Sequence, residues 1–138
     1  MKIANCKLVS IPSFRDSSGQ LNVIESNNNI PFAIERIYYL HNVPKNTKRG
    51  VHAHKKLEQL IIAISGSFDI TIDDGKNRKI IHMDNPEIGL YVCPKIWREI
   101  DNFSKGAVLM VLASTSYDEN DYIHNYNEFI QYINSVQT

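Results

Sequence analysis

Arg49-Gly50-Val51-His52-Ala53-His54-Lys55, followed by Glu58 and the apolar run 60–64, is the stretch from which the rest of the chain is read. On an extended backbone, side chains two apart share a face. His52 and His54 therefore project together into whatever the sheet encloses, and the small Ala53 turns the other way. Arg49 and Lys55 flank the pair with positive charge. Imidazoles with an ordinary pKa of about 6.5 beside fixed cations suit an anionic substrate and proton transfer. The same pattern also fits a metal site, or two polar residues exposed at a strand end.

Outward from this stretch the chain reads as short strands. Residues 57–64 are nearly continuously apolar, as in a strand covered on both faces. After Ser65-Gly66, Phe68, Ile70 and Ile72 alternate with polar neighbours, and Asp73-Asp74-Gly75-Lys76 is hairpin chemistry leading into residues 79–83. Residues 88–92, 97–100 and 107–113 continue the series. Upstream, residues 32–40 are rich in β-branched and aromatic side chains and predict a strand with Ile34, Arg36, Tyr38 and Leu40 on one face. Residues 2–11 predict a first extended piece, 15–20 (RDSSGQ) a turn, and 21–25 a further strand. Turn signals at short intervals, with no helical period between them, predict an all-β sandwich or jelly roll. Only the tail is helical: Tyr122, Ile123, Tyr126, Phe129, Ile130 and Ile133 form one stripe over 122–133, preceded by Asp118-Glu119-Asn120-Asp121. That helix is expected to lie across a sheet as a cover.

Composition narrows the function classes. At 138 residues the chain is expected to form one domain, residues 1–138. Its 15 basic residues balance 15 acidic ones, which gives no support for a nucleic-acid or membrane-surface partner. Two cysteines, Cys6 and Cys93, are too few for a disulfide framework. No run approaches the ~18 apolar residues of a membrane span, and the N-terminus lacks the apolar block of a signal peptide. A cytoplasmic protein is the expectation.

The His-x-His pair with Glu58 and Gly66 resembles the first motif of the cupin superfamily of small β-barrels, in which such residues and a later histidine commonly hold one metal ion. Here the later segment is Pro94-Lys95-Ile96-Trp97-Arg98, with Glu99 one register step away. Arginine stays protonated and cannot ligate. His41 and His82 could compensate only with an unusual geometry, so a metal-free barrel is expected.

A closer resemblance runs in order over most of the chain. It is carried by Asn29-Ile30-Pro31-Phe32, Arg36-Ile37-Tyr38-Tyr39, the stretch 49–59, Asp73-Asp74-Gly75, Gly89-Leu90-Tyr91-Val92, Val111-Leu112-Ala113-Ser114 and 117–123. These are similar to the sugar-nucleotide 3,4-ketoisomerases, cupins that act on dTDP-4-keto-6-deoxy-glucose in the biosynthesis of dTDP-linked 3-amino-3,6-dideoxy sugars. The resemblance implies a cupin-type jelly roll with one C-terminal α-helix and acid/base isomerisation through an enediol(ate), without a cofactor. It also implies a homodimer made by exchanging N-terminal strands. It makes His52 the base, with His54 as a second acid/base or an orienting group. Tyr38, on the face of Arg36, is either a partner of the sugar oxygens or a core tyrosine with a satisfied hydroxyl. Arg36, Arg49, Lys55, Trp97 and Arg98 are expected to bind substrate, with Arg49 and Lys55 candidates for the pyrophosphate. Members of the family carry histidine or arginine after this tryptophan and differ in the face of C4 that receives the proton. Arg98, with Ser18 in the RDSSGQ turn, points to the gluco product. A 3,5-epimerase, a metal-dependent cupin enzyme and a non-catalytic sugar-nucleotide-binding module are the other readings.

Overall fold

The computed structural model describes residues 2–136. Two five-stranded antiparallel sheets face each other. In the first, the order is β1 (Lys7–Ser10), β9 (Ile88–Val92), β6 (Gln59–Ser65), β11 (Val108–Ala113) and β4 (Arg36–Leu40). In the second it is β12 (Tyr122–Ile123), β5 (Arg49–His54), β10 (Trp97–Asp101), β7 (Phe68–Asp73) and β8 (Arg78–Met83). A separate hairpin pairs β2 (Ser13–Asp16) with β3 (Gly19–Asn22), and the helix α1 (Tyr126–Val136) follows β12. This is the jelly roll with one C-terminal helix that the resemblance implies, and one of the two architectures that the turn spacing allows. Among the described residues, no helix is long and apolar enough to cross a membrane.

The apolar pattern explains the layering. Phe68, Ile70 and Ile72 meet Ile61, Leu90, Val92, Leu109 and Val111 between the sheets. β6 is buried on both faces, because its alternate residues Leu60 and Ile62 pack outward against Ile30, Phe32 and Leu112. On the outer face of the second sheet, Ala53, Trp97 and Ile123 are covered by Phe129 and Ile133 of α1. Burying one such aliphatic or aromatic side chain stabilises by about 1.5–3 kcal/mol, so each layer depends on the other two.

Four elements differ from the expectation. The helix begins at Tyr126, not 122, because Tyr122 and Ile123 pair with His54 and Ala53 as a strand and Asn125 caps the helix by accepting from the Glu128 amide. Residues 32–35 lie outside β4; Phe32 and Ile34 are apolar because they pack on the outer face of β6, so Ile34 does not share the inward face of Arg36, Tyr38 and Leu40. Residues 2–11 are not extended throughout: Ile3–Asn5 form a tight turn held by Asn5 and by Asp74, which accepts from the Ile3 amide at 2.9 Å. The 15–20 turn is narrower than expected, with only Ser17 and Ser18 outside the paired strands β2 and β3.

Candidate active site

Register assembles the site. Arg98 on β10 stands opposite His52 on β5, so their side chains share the inner face of the second sheet, while the neighbouring pair Trp97 and Ala53 faces outward. Strict alternation would turn Arg49 away from the inside. It does not, because a bulge shifts the β5–β10 register between Arg98 and Ile100, and Arg49 is brought opposite Ile100. Gly50 supplies the left-handed backbone at φ 60°, and a Cβ there would press on Ile100 at 3.3 Å.

The opposite wall comes from the first sheet. Arg36 and Tyr38 point inward from β4, as their alternation predicts, and Gln59 does so from β6. Together with Arg49, His52, Arg98 and Tyr122 they line a cavity of about 270 Å³ floored by Ile61, Leu109 and Val111. None of the lining residues is acidic, and three are arginines. Arg98 is 1 % exposed and bonds to uncharged partners only: Nη1 to Gln59 Oε1, and Nη2 and Nε to the Ile96 carbonyl at 2.9 and 3.3 Å. Burial lowers its pKa, yet arginine remains charged at neutral pH. The Arg36 guanidinium carbon stands 5.2 Å from the Tyr38 ring and 5.7 Å from the Tyr117 ring, with Nε and Nη2 buried and unpartnered. Buried donors without a protein acceptor are costly, so this wall suits an anion or ligand oxygens.

The two histidines have different surroundings. His52 faces the cavity, and burial, then Arg98, then His124 push its pKa down to about 3. It is therefore a neutral proton acceptor at physiological pH. His54 is fully buried behind it, edge to face with the His52 ring at 4.8 Å. Its Nδ1–H donates to Asp121 Oδ2 at 3.0 Å, since an ionised carboxylate only accepts. Asp121 is itself held by the amides of Lys56 and Leu57. This fixes one tautomer and leaves the His54 Nε2 lone pair buried without a partner. Burial, then Arg98, lowers the His54 pKa as well.

Two expected binding residues do not reach the cavity. Lys55 continues the outward face of Ala53, and its ammonium lies 5.9 Å from the Tyr132 ring of α1. Trp97 packs against Tyr126 and Phe129 and donates its indole N–H to Glu99. Strand alternation, which places His52, His54 and Arg98 inside, puts both of these outside. Glu58 also stays off the cavity and accepts from the Tyr91 hydroxyl at 2.6 Å. Gln59, Asp121 and Tyr122 are the residues that sequence reasoning missed. Inward parity with Ile61 could have found Gln59; nothing local connects Asp121 to His54, 67 residues away. Among the described residues, no cluster of three or more His, Cys, Asp or Glu could hold a metal ion.

A family model described as FdtA: WxcM-like, C-terminal, matches residues 4–134. The chain is 45 % identical over 130 residues to a TDP-4-oxo-6-deoxy-α-D-glucose-3,4-oxoisomerase of Aneurinibacillus thermoaerophilus, covering 94 % of each. Among solved structures it is similar to a histidine-to-asparagine variant of the 3,4-ketoisomerase QdtA of Thermoanaerobacterium thermosaccharolyticum in complex with TDP-4-keto-6-deoxyglucose. That likeness has a TM-score of 0.93, 41 % identity and 96 % coverage of both chains. It is also similar to the TDP-quinovose 3,4-ketoisomerase WlaRB of Campylobacter jejuni, with a TM-score of 0.89, 49 % identity and coverage of 92 % of this chain and 98 % of that one.

Proposed function

The chain belongs to the FdtA family of sugar 3,4-ketoisomerases, and from that premise we propose that it converts dTDP-4-keto-6-deoxy-glucose to dTDP-3-keto-6-deoxy-glucose. The observation that carries this reading is His52 beside the buried, unneutralised Arg98 on one wall of a cavity lined by no carboxylate. His52 takes the proton from C3, which the adjacent carbonyl acidifies. The C–H electrons form the C3–C4 double bond, and the negative charge settles on the C4 oxygen as an enediolate. O3 then gives up its proton while O4 gains one, and C4 is reprotonated to leave the ketone at C3. Atoms and electrons balance with no external oxidant. The new 3-ketone is the functional group an aminotransferase would require.

The charges suit this sequence of events. A protonated His52 beside Arg98 is disfavoured alone, but it forms together with an anion lying between the two cations. Opposite charges in a site of low dielectric attract far more strongly than in water. His54, held by Asp121 and off the cavity surface, acts by orienting the His52 ring. Tyr38, Arg36 and Arg98 hold the sugar oxygens, and Arg49, on the bulge, is placed for the pyrophosphate. The cavity is near the lower end of the roughly 300–1,000 Å³ usual for ligand sites, which suits a sugar ring with its nucleotide outside. Arg98 cannot protonate C4, so water supplies that proton; the gluco configuration is supported by Arg98 itself and by the TDP-quinovose relative.

We propose that the reaction needs no metal. Arg98 stands across from His52 where a further ligand would be wanted, and Glu58 is turned to Tyr91. The test is turnover of dTDP-4-keto-6-deoxy-glucose with chelator present, where full activity is expected. Loss of activity that one metal restores would contradict a metal-free site. Binding without turnover would instead favour a sugar-nucleotide-binding module.

A homodimer with exchanged N-terminal strands is the proposed assembly. In the single chain β1 occupies the edge beside its own β9, and Leu8, Phe14 and Leu21 on β1 to β3 are exposed. Apolar side chains on an edge strand and a projecting hairpin are suited to cover by a second copy. Light scattering should give twice the chain mass at micromolar concentration; a monomeric mass would contradict it.

A further inference from the structure

The polarity of the hydrogen bonds around Gln59 is forced by chemistry. Arginine has donors and no acceptor, so the Gln59 carbonyl must face Arg98 Nη1 and its amide nitrogen must face the other way. That nitrogen donates to the Tyr38 hydroxyl at 2.9 Å. The Tyr38 oxygen is thereby an acceptor toward Gln59, and its own proton is turned from Gln59 toward the cavity that Tyr38 lines. Gln59 is 1 % exposed and cannot exchange these partners for water. Burial raises the Tyr38 pKa, so the hydroxyl keeps its proton. On the other side, a neutral carbonyl satisfies Arg98 without quenching its charge. Three of its N–H groups are engaged, which leaves one on each terminal nitrogen uncommitted.

We propose that Gln59 is a positioning residue that makes Tyr38 a hydrogen-bond donor and keeps Arg98 a full cation, so that the two together hold the enediolate oxygens. The inference rests on the ketoisomerase reading above. No other side chain of this size serves both ends: a carboxylate would accept from Arg98 and from Tyr38 alike, reversing the phenol proton and neutralising the cation, although it fits the same space.

The test compares Gln59→Glu with Gln59→Met, using dTDP-4-keto-6-deoxy-glucose as substrate and melting temperature as the check on folding. Gln59→Glu should keep its melting temperature, bind with KM within about threefold and lose roughly 10²-fold in kcat, the low end for losing a preorganised donor. Gln59→Met, which removes both bonds without adding a charge, should lose less kcat while being the less stable protein. A structural role for Gln59 predicts the reverse ranking, with the isosteric, Arg98-bonded Glu more active than Met. That ranking, or near-normal kcat in both variants while the wild type is active, would overturn this inference alone. An inactive wild type would remove the ketoisomerase reading and this inference with it.

Discussion

His52→Asn is expected to bind the nucleotide sugar within a few fold of the wild type and to turn it over at least about 10²-fold more slowly. Asparagine keeps a polar group at the cavity wall but cannot accept the C3 proton as a base. The loss should fall on kcat, because the group acts in the transition state rather than in holding the nucleotide. The wild type's pH dependence follows from the same residue. A base works in its neutral form, which prevails above its pKa, and the lowered His52 pKa of about 3 extends that range to acid. Activity should therefore stay level as pH falls through about 6.5, where an ordinary imidazole would begin to lose it. An acid limb centred near that value would contradict the assigned environment. Weakened binding with unchanged turnover at saturation would instead make His52 a ligand-holding residue.

Arg98→Met is expected to separate activity from stability. Removing the fully buried cation beside His52 takes away a preorganised charge worth about 10²–10³-fold in turnover. The Gln59 and Ile96 carbonyls would lose their donor, at about 1–3 kcal/mol for each buried group left unsatisfied. Against this, the protein no longer holds a buried guanidinium without a carboxylate partner, a desolvation cost of several kcal/mol. The two nearly cancel or favour the variant, so the melting temperature should be unchanged or higher while kcat falls. Parallel losses of stability and activity would make Arg98 a structural residue, and retained turnover would remove it from the mechanism.

The parts of the site that were legible in the sequence are those governed by strand alternation. The inward face of Arg36, Tyr38 and Leu40 follows from a period of two, and so does the pairing of His52 with His54. The nearly continuous apolar run at 57–64 indicates a strand covered on both faces, which holds for residues 60–63; the strand begins only at Gln59, and Ile64 is exposed. Lys55 and Trp97 are expected to bind substrate, but alternation carries both to the outer face under α1. Arg49 is the converse case, since only the bulge at Gly50 returns it to the inside. Tyr122 and Ile123 fit the helical stripe by spacing, but pairing with β5 outweighs that local preference. Asp121 precedes the predicted helix, where a carboxylate favours the N-terminal end; its contact with His54 is set by the meeting of β12 and β5, which no local pattern encodes.

In the proposed reaction a proton leaves C3 to His52 and a solvent-derived one arrives at C4. Incubating the protein with dTDP-4-keto-6-deoxy-glucose in D₂O, followed by NMR of the product, tests this directly. The predicted result is a 3-keto-6-deoxy sugar carrying deuterium at C4 in the gluco configuration. A product with only protium at C4, or with label and inversion at C5 instead, would contradict it.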